Sequence, residues 1–391
     1  MWIGFLLAFP FYIFPPGKPQ PSDYFMVGFI VLKILLGQFR IPVKSIKPIR
    51  IFIYFLIYIS IVNFILFLFY IGHRFDGLPF YIIISFYLFN FLVFTLAFNL
   101  YNKYGVRFLE VCLYGMVLSV LLQISLYNYG EVFWGIREMF FFKNPNQLGY
   151  YSLLSLCIFL ILQRRIFIPA VFTLLMFLIC FFMAFTSLSM AAMYSIVLVL
   201  PVFLLDKGIL TGRGILYISI IIAGAIIILT QTSQGSGLID RLEYRFTEKS
   251  TRYDPSVTFA DERGYDRIIA NPEYIILGAG EGGYERFRST SFIGSHEIHS
   301  SFGTIVFSYG IPGVILVLLL IYQSLKGHSV YTLFYAIPIF AYGLAHMGLR
   351  FTLFWIAIAI LILTKIYEKQ LRSELIPEFK KDLIVAVAEN E

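Results

Sequence analysis

An all-α polytopic membrane protein, with about twelve transmembrane helices and one large external loop, is the fold this sequence predicts. Three observations predict it. Of 391 residues, 59% are hydrophobic and only 14% charged, whereas a soluble domain averages about 25% charged. The apolar residues fall in runs near the ~20 that a bilayer-crossing helix needs. Lys and Arg are shared unevenly between alternate connections, which is how membrane proteins set their orientation. Several soluble domains are excluded, because too few charges exist to cover their surfaces, and so is a disordered chain. The net charge of +7 does not indicate nucleic acid, since the basic residues are scattered between apolar runs.

The runs predict spans at Trp2–Phe14, Tyr24–Phe39, Ile49–Ile71, Pro79–Phe98, Val106–Tyr127, Gln147–Leu162, Ile166–Phe185 and Leu188–Leu205. Four more follow at Ile215–Thr230, Ser301–Gln323, Tyr331–His346 and Phe351–Ile366. The first is short and contains Pro10. No Lys or Arg precedes it and no small-residue cleavage site follows, so it reads as a short helix rather than a signal peptide. Cys112, Cys157 and Cys180 all lie within apolar runs. They form neither a disulfide framework nor a zinc site.

One set of connections carries sixteen basic residues, from Arg40, Lys44 and Lys47 through Arg164, Arg165 and Lys207 to the C-terminal Lys380 and Lys381. The short connections of the other set carry five: Lys18, Arg74, Arg137, Lys143 and Arg350. The first set is therefore expected inside, with both termini cytoplasmic. The tail after Ile366 is mixed in charge and expected to be solvated. Lys33, within the second span, reads as a snorkelling residue.

Gln231 to Ile298 is the one long polar segment, and it falls outside. It holds eight basic and eleven acidic residues, and a loop of this length is commonly functional. Leu238–Lys249 predicts an amphipathic helix at the bilayer surface. Asp261–Ala270 predicts a second helix, stopped by Asn271-Pro272. Then comes Gly278-Ala-Gly280-Glu-Gly282-Gly283, which reads either as a flexible turn or as an anion-binding nest of backbone N–H groups. No strand precedes it, so it is not a P-loop.

Polar residues also collect at the predicted outer edge. Arg137 and Lys143 flank three phenylalanines and lead into Asn144-Pro145-Asn146, where Asn can cap a helix and Pro suits its first turn. His299-Ser300 opens the tenth span directly after the loop. His346 and Arg350 bracket the last external turn. Arg137, Arg263, Arg267, His299 and Arg350 thus share one face of the membrane. Arginines with a histidine, and no acidic metal cluster, suit a diphosphate ligand and a proton acceptor. They lack the charge rings of an ion channel.

At these residues the chain resembles the O-antigen polymerase and O-antigen ligase superfamily. The resemblance rests on Arg137 with Asn144-Pro145-Asn146 at the start of a span. It rests also on the external loop ending in Asn271-Pro272 and Gly278-x-Gly280-x-Gly282, with ten residues between Arg267 and Gly278. Most specific is His299-Ser300, nine residues, then Gly310-Ile311-Pro312-Gly313. The match runs from about Trp134 to Gly313. It divides the chain into N-terminal helices (1–130), a polymerase/ligase-like domain (131–323) containing the loop 231–298, C-terminal helices (324–366) and a cytoplasmic tail (367–391). One departure is Ser187-Leu188-Ser189-Met190, where the family often has Ser-Arg; Arg137 or Arg350 is expected to replace that contact.

The resemblance implies a polytopic glycosyltransferase of a bacterial inner membrane, whose donor is an undecaprenyl-diphosphate-linked glycan at the periplasmic face. A polymerase passes the growing chain to the next lipid-linked repeat unit; a ligase passes it to lipid A-core. Arg267 and Arg137, helped by Arg263 and Arg350, would hold the diphosphate, with Gly278 and Gly280 at the nest. His299 would take the acceptor's proton or orient the hydroxyl, with Glu262 and Glu281 as further candidate bases. No metal or cofactor is implied. The partners expected are the lipid bilayer, a flippase and a chain-length regulator, and no nucleic acid. A flippase for the same lipid-linked glycan is the alternative from another class. It would show inverted repeats and broken helices at the midplane, and no repeat is evident here.

Overall fold

The computed structural model describes residues 1–388 except 16, 44–45, 71–78, 134, 209–236, 238, 245–246, 248–257 and 288–296. The chain is mostly helical. In order, the helices are α1 (Trp2–Ala8), α2 (Pro21–Leu35), α3 (Lys47–Phe69), α4 (Phe80–Tyr104), α5 (Val106–Ser125), α6 (Pro145–Leu162), α7 (Ala170–Thr186) and α8 (Met190–Asp206). The loop holds the short α9 (Phe259–Arg263), α10 (Asp266–Ala270) and α11 (Tyr274–Leu277). The last three are α12 (Ser301–Leu325), α13 (Val330–Ala345) and α14 (Thr352–Ala388). Every predicted span but the ninth overlaps a described helix; Ile215–Thr230 lies outside the described residues. Of the amphipathic helix predicted over Leu238–Lys249, residues 239–244 and 247 are described and are helical.

Among the described residues, α3, α4, α5, α6 and α12 are long and apolar enough to cross a membrane, and α7, α8 and α13 are shorter apolar helices. The chain is thus a helical protein with the apolar helices of a membrane protein. Its surface agrees: Leu35, Phe69, Phe167 and Val171 are each more than three quarters exposed. Large apolar side chains facing outward together suit lipid rather than water.

Two helices form the centre. From Leu148 to Leu162, every residue of α6 is buried, as are Thr352 to Thr364 of α14. A helix that is apolar all round has no face to give to solvent and must be enclosed. α6 packs against α5, α7, α13 and α14. Trp355 of α14 stacks on Phe52 of α3 at 4.3 Å between ring centroids.

The first predicted span is shorter than expected. α1 has seven residues and ends before Pro10, which has no N–H to continue a helix. The connection to α2 is instead held by buried Gln20. Its side-chain oxygen accepts from the Ile13 and Phe14 N–H groups at 3.1 and 3.0 Å, and its amide donates to the Lys18 carbonyl at 2.9 Å.

The all-α expectation also needs one correction. A two-stranded antiparallel hairpin, β1 (Glu131–Phe133) and β2 (Arg137–Phe140), occupies the connection between α5 and α6, with Phe133 opposite Arg137. Two further boundaries differ. The helix expected over Asp261–Ala270 is split into α9 and α10 by Gly264, at φ +77°. The tail beyond Ile366 continues as part of α14.

At one end of the bundle, Arg164 pairs with Asp206 and Arg165 with Glu368. The Tyr335 hydroxyl donates to Asp206 at 2.9 Å, tying α13 to α8. This is the end that carries the basic connections. The opposite end receives the loop.

The loop docks there through a break in α12. Gly310 leaves the helical region, at φ 58° and ψ −162°, and Pro312 follows. Pro312 has no N–H to offer the Ser308 carbonyl four residues earlier. Loop donors fill the gap: Ala279 N–H donates to Phe307 O and Gly280 N–H to Ser308 O, each at 2.8 Å. The approach is close enough that a Cβ on Gly278 would sit 2.3 Å from Ser308 O.

Candidate functional site

A cavity of about 520 Å³ lies at the loop-bearing end. Its wall comes from segments far apart in sequence. The α1–α2 connection contributes Lys18, and the first turn of α2 contributes Asp23. The first turn of α6 contributes Asn144, Asn146 and Gln147. Arg263 ends α9, Glu297 and His299 precede α12, and His346 and Arg350 lie between α13 and α14. Tyr150 and Tyr342 make an aromatic side of it, stacked at 4.0 Å between centroids and 8° between planes.

Local chemistry sets each segment. Asn144 caps α6, its side-chain oxygen accepting the Asn146 N–H at 2.8 Å, with Pro145 in the first turn. Ser300 caps α12, its hydroxyl accepting the Gly303 N–H at 3.1 Å. Thr258 and Asp261 cap α9 reciprocally, and the Thr258 hydroxyl and N–H hold the Asp261 carboxyl below the usual carboxylate range. The His299 N–H donates to the Arg263 carbonyl at 3.0 Å, which brings these two residues to the same wall. Ser301 joins α12 to the turn after α13: its hydroxyl donates to the His346 carbonyl at 3.1 Å and accepts from Gly348 N–H at 2.7 Å.

The residues singled out in the sequence divide into three groups. His299, Arg263 and Arg350 line the cavity. Arg137 stands behind it: its guanidinium donates to the Asn146 side-chain oxygen at 2.9 Å and to the Ser187 carbonyl at 3.0 Å. It therefore reaches the turn at which the resemblance led one to expect an arginine. Arg267 is buried, only 3% exposed, and is not in the cavity wall. Gly278 and Gly280 are not there either. Their N–H groups donate to Tyr274 O and Ser308 O, and the Glu281 N–H donates to the Asn63 side chain at 3.0 Å. The glycine run is accordingly a docking strand for the α12 break. The nest reading is corrected, because those donors are committed within the chain.

Arg350 also differs from expectation. It pairs with two carboxylates, Glu281 and Glu297, and donates to the Tyr284 hydroxyl at 2.9 Å. Glu281 is fully buried and also accepts from the Tyr309 and Tyr87 hydroxyls at 2.8 and 3.0 Å. Burial works to lower the Arg350 pKa, but Glu297 and Glu281 outweigh it and hold the guanidinium charged. Burial pushes the Glu297 carboxyl up; Arg350 opposes that, and the nearby Glu281 adds to it. Burial and Glu297 likewise raise the Tyr284 phenol. With its charge already answered, Arg350 is a scaffold for Glu297 more than a contact for an incoming anion. Of the other cavity cations, Arg263 lies 3.6 Å from the Glu262 carboxylate, a longer pairing than those of Arg350, and Lys18 completes the set. Among the described residues, no carboxylate is paired with Lys18.

Asp23 carried no signal in the sequence, Lys18 showed only as an outer-side charge that tertiary contact brings to this wall, and Glu297 showed only as one acid of the loop although it lies two residues before His299. Neither a scan against protein-family models nor a search of curated proteins finds a match for this chain.

Proposed function

We propose that the chain is a glycosyltransferase of the O-antigen polymerase type. It joins undecaprenyl-diphosphate-linked repeat units at the periplasmic face of a bacterial inner membrane, with both termini cytoplasmic. The observation that carries this reading is convergence. The Arg137–Asn146 segment, the glycine run and the His299–Gly313 segment are more than a hundred residues apart at their extremes, yet all meet around one end of one bundle. These are the segments on which the resemblance rests.

The chemistry asked of such a site is modest. The acceptor hydroxyl attacks the anomeric carbon of the donor. A C–O bond to the acceptor forms, and the C–O bond to phosphate breaks. The bonding pair leaves with the lipid diphosphate, and the hydroxyl proton passes to a base. Arg263 and Lys18 stabilise the charge developing on the diphosphate, and one well-placed donor of this kind contributes about 10²–10³ in rate. His299 meets the acceptor hydroxyl. The aromatic side at Tyr150 and Tyr342 offers faces on which sugar rings stack.

The test is genetic. In cells lacking the gene, a polymerase defect leaves single repeat units on lipid A-core. A ligase defect leaves polymer on the lipid carrier, and a flippase defect traps intermediates inside. A glycan gel with lipid extraction separates these outcomes. Restoring the gene as His299→Ala is expected to give normal protein levels and no long chains. Arg372→Ala, remote from the cavity on α14, is expected to restore them. Long chains from His299→Ala cells would sink the assignment.

A further inference from the structure

Glu297 stands out among the cavity residues as a carboxylate that is both oriented and open. One side of it meets Arg350, with Nη2 2.6 Å from Oε1. Its side chain keeps 25% exposure and borders the cavity. Arg350 is in turn fixed from behind. Its Nε donates to Glu281 at 2.9 Å, and Glu281 is immobilised by the two tyrosine hydroxyls of α4 and α12. Glu281 is bound to the bundle on every side, since its backbone N–H also donates to Asn63 of α3. Buried ion clusters are expensive to assemble, and a hydrophobic replacement is often as stable. Three helices and a loop converge on this one, and its only member at the cavity, besides the guanidinium, is Glu297.

We propose that Glu297 is a catalytic carboxylate: it receives the acceptor hydroxyl's proton as the glycosidic bond forms. Arg350 is the positioning residue that aims it, and Glu281 anchors Arg350. This deepens the glycosyl-transfer reading above and rests on it. The balance is simple. The acceptor O–H proton goes to Glu297, the oxygen lone pair forms the bond to the anomeric carbon, and the diphosphate leaves with the electron pair of the broken C–O bond. His299, two residues along, holds the hydroxyl in line. A carboxylate is matched to this work when its pKa lies near the working pH. Burial and the second carboxylate on the same guanidinium both push Glu297 in that direction.

The experiment uses the full chain in lipid nanodiscs, with lipid-linked repeat units extracted from the native host. Wild-type protein is expected to elongate them and release polyprenyl diphosphate. Glu297→Gln, which keeps the shape, is expected to lower kcat about 100-fold or more with KM within about threefold, since general-base catalysis contributes about 10²–10⁴. Glu297→Ala is expected to be equally slow and to regain at least tenfold in rate with added formate, a small carboxylate that fits the vacated space. A role confined to structure would not respond to formate. Arg350→Lys is expected to lose kcat without losing donor binding. Wild-type turnover with a fully active Glu297→Gln, or an Ala variant that formate leaves unchanged, overturns the role of Glu297 alone. No elongation by the wild type overturns the glycosyl-transfer reading, and this proposal with it.

Discussion

Arg263 and Arg267 lie four residues apart and offer the same chemistry, yet their surroundings separate them. Arg263 faces the cavity, and Arg267 is buried away from it. Arg263→Ala is therefore expected to leave a folded protein with at least 100-fold less polymerisation, in keeping with loss of one charge-stabilising donor. Arg267→Ala is expected to reduce the melting temperature and the yield, because partners of a buried charge are left uncompensated at about 3 kcal/mol. Detergent-solubilised thermal unfolding, run beside the activity assay, distinguishes the two; equal stability in both variants would count against this division. Glu281→Ala belongs with Arg267. It removes the buried partner of Arg350, and the same assay is expected to show a loss of about 3–5 kcal/mol. At this scale the sequence was partly legible. His299 and Arg263 were marked by a motif and by charge at the membrane edge. Glu297 looked like one more acid in an acidic loop, although its place two residues before His299 was a local clue, and Lys18 and Asp23 lay outside the resemblance altogether. Those two are placed by tertiary contact, which leaves no local pattern.

Helices were legible because apolar runs near 20 residues have few other uses. The hairpin before α6 was missed, although Glu131-Val-Phe133 and Arg137-Glu-Met-Phe140 flank a three-residue link containing Gly135, a recognised hairpin length. The two glycine motifs were read separately, one as a nest and one as part of the histidine motif. In the structure they are one device: the loop supplies the N–H groups that the break at Gly310 and Pro312 removes from α12. Only a backbone without a Cβ permits that approach at Gly278 and Gly310, and both have positive φ. Gly278→Ala and Gly310→Ala are each expected to detach the loop, costing more than about 1–3 kcal/mol from overpacking and strain. Limited proteolysis within the loop reads this directly. Gly28→Ala, which meets nothing within 4 Å, is the matched control; equal protection in all three would contradict the docking.

At the scale of the whole molecule, the two ends of the bundle differ in kind. One is tied by Arg164–Asp206 and Arg165–Glu368 among basic connections, and the other gathers the cavity and the loop. The proposed topology matches that division and is open to test. The native cysteines are all buried, so single cysteines can be added. Lys143→Cys is expected to react with a membrane-impermeant maleimide in spheroplasts, and Lys326→Cys only after permeabilisation. The reverse pattern would turn the cavity to the cytoplasm and remove it from a periplasmic donor.

The central claim is that the cavity around Arg263 and His299 transfers a glycan from a lipid diphosphate. The most direct measurement incubates the purified full chain in nanodiscs with lipid-linked repeat units, then counts chain length and released polyprenyl diphosphate together. Wild-type protein is predicted to produce both in step, and His299→Ala neither. Unchanged lipid-linked glycan with the wild type, or wild-type rates from His299→Ala, would contradict it.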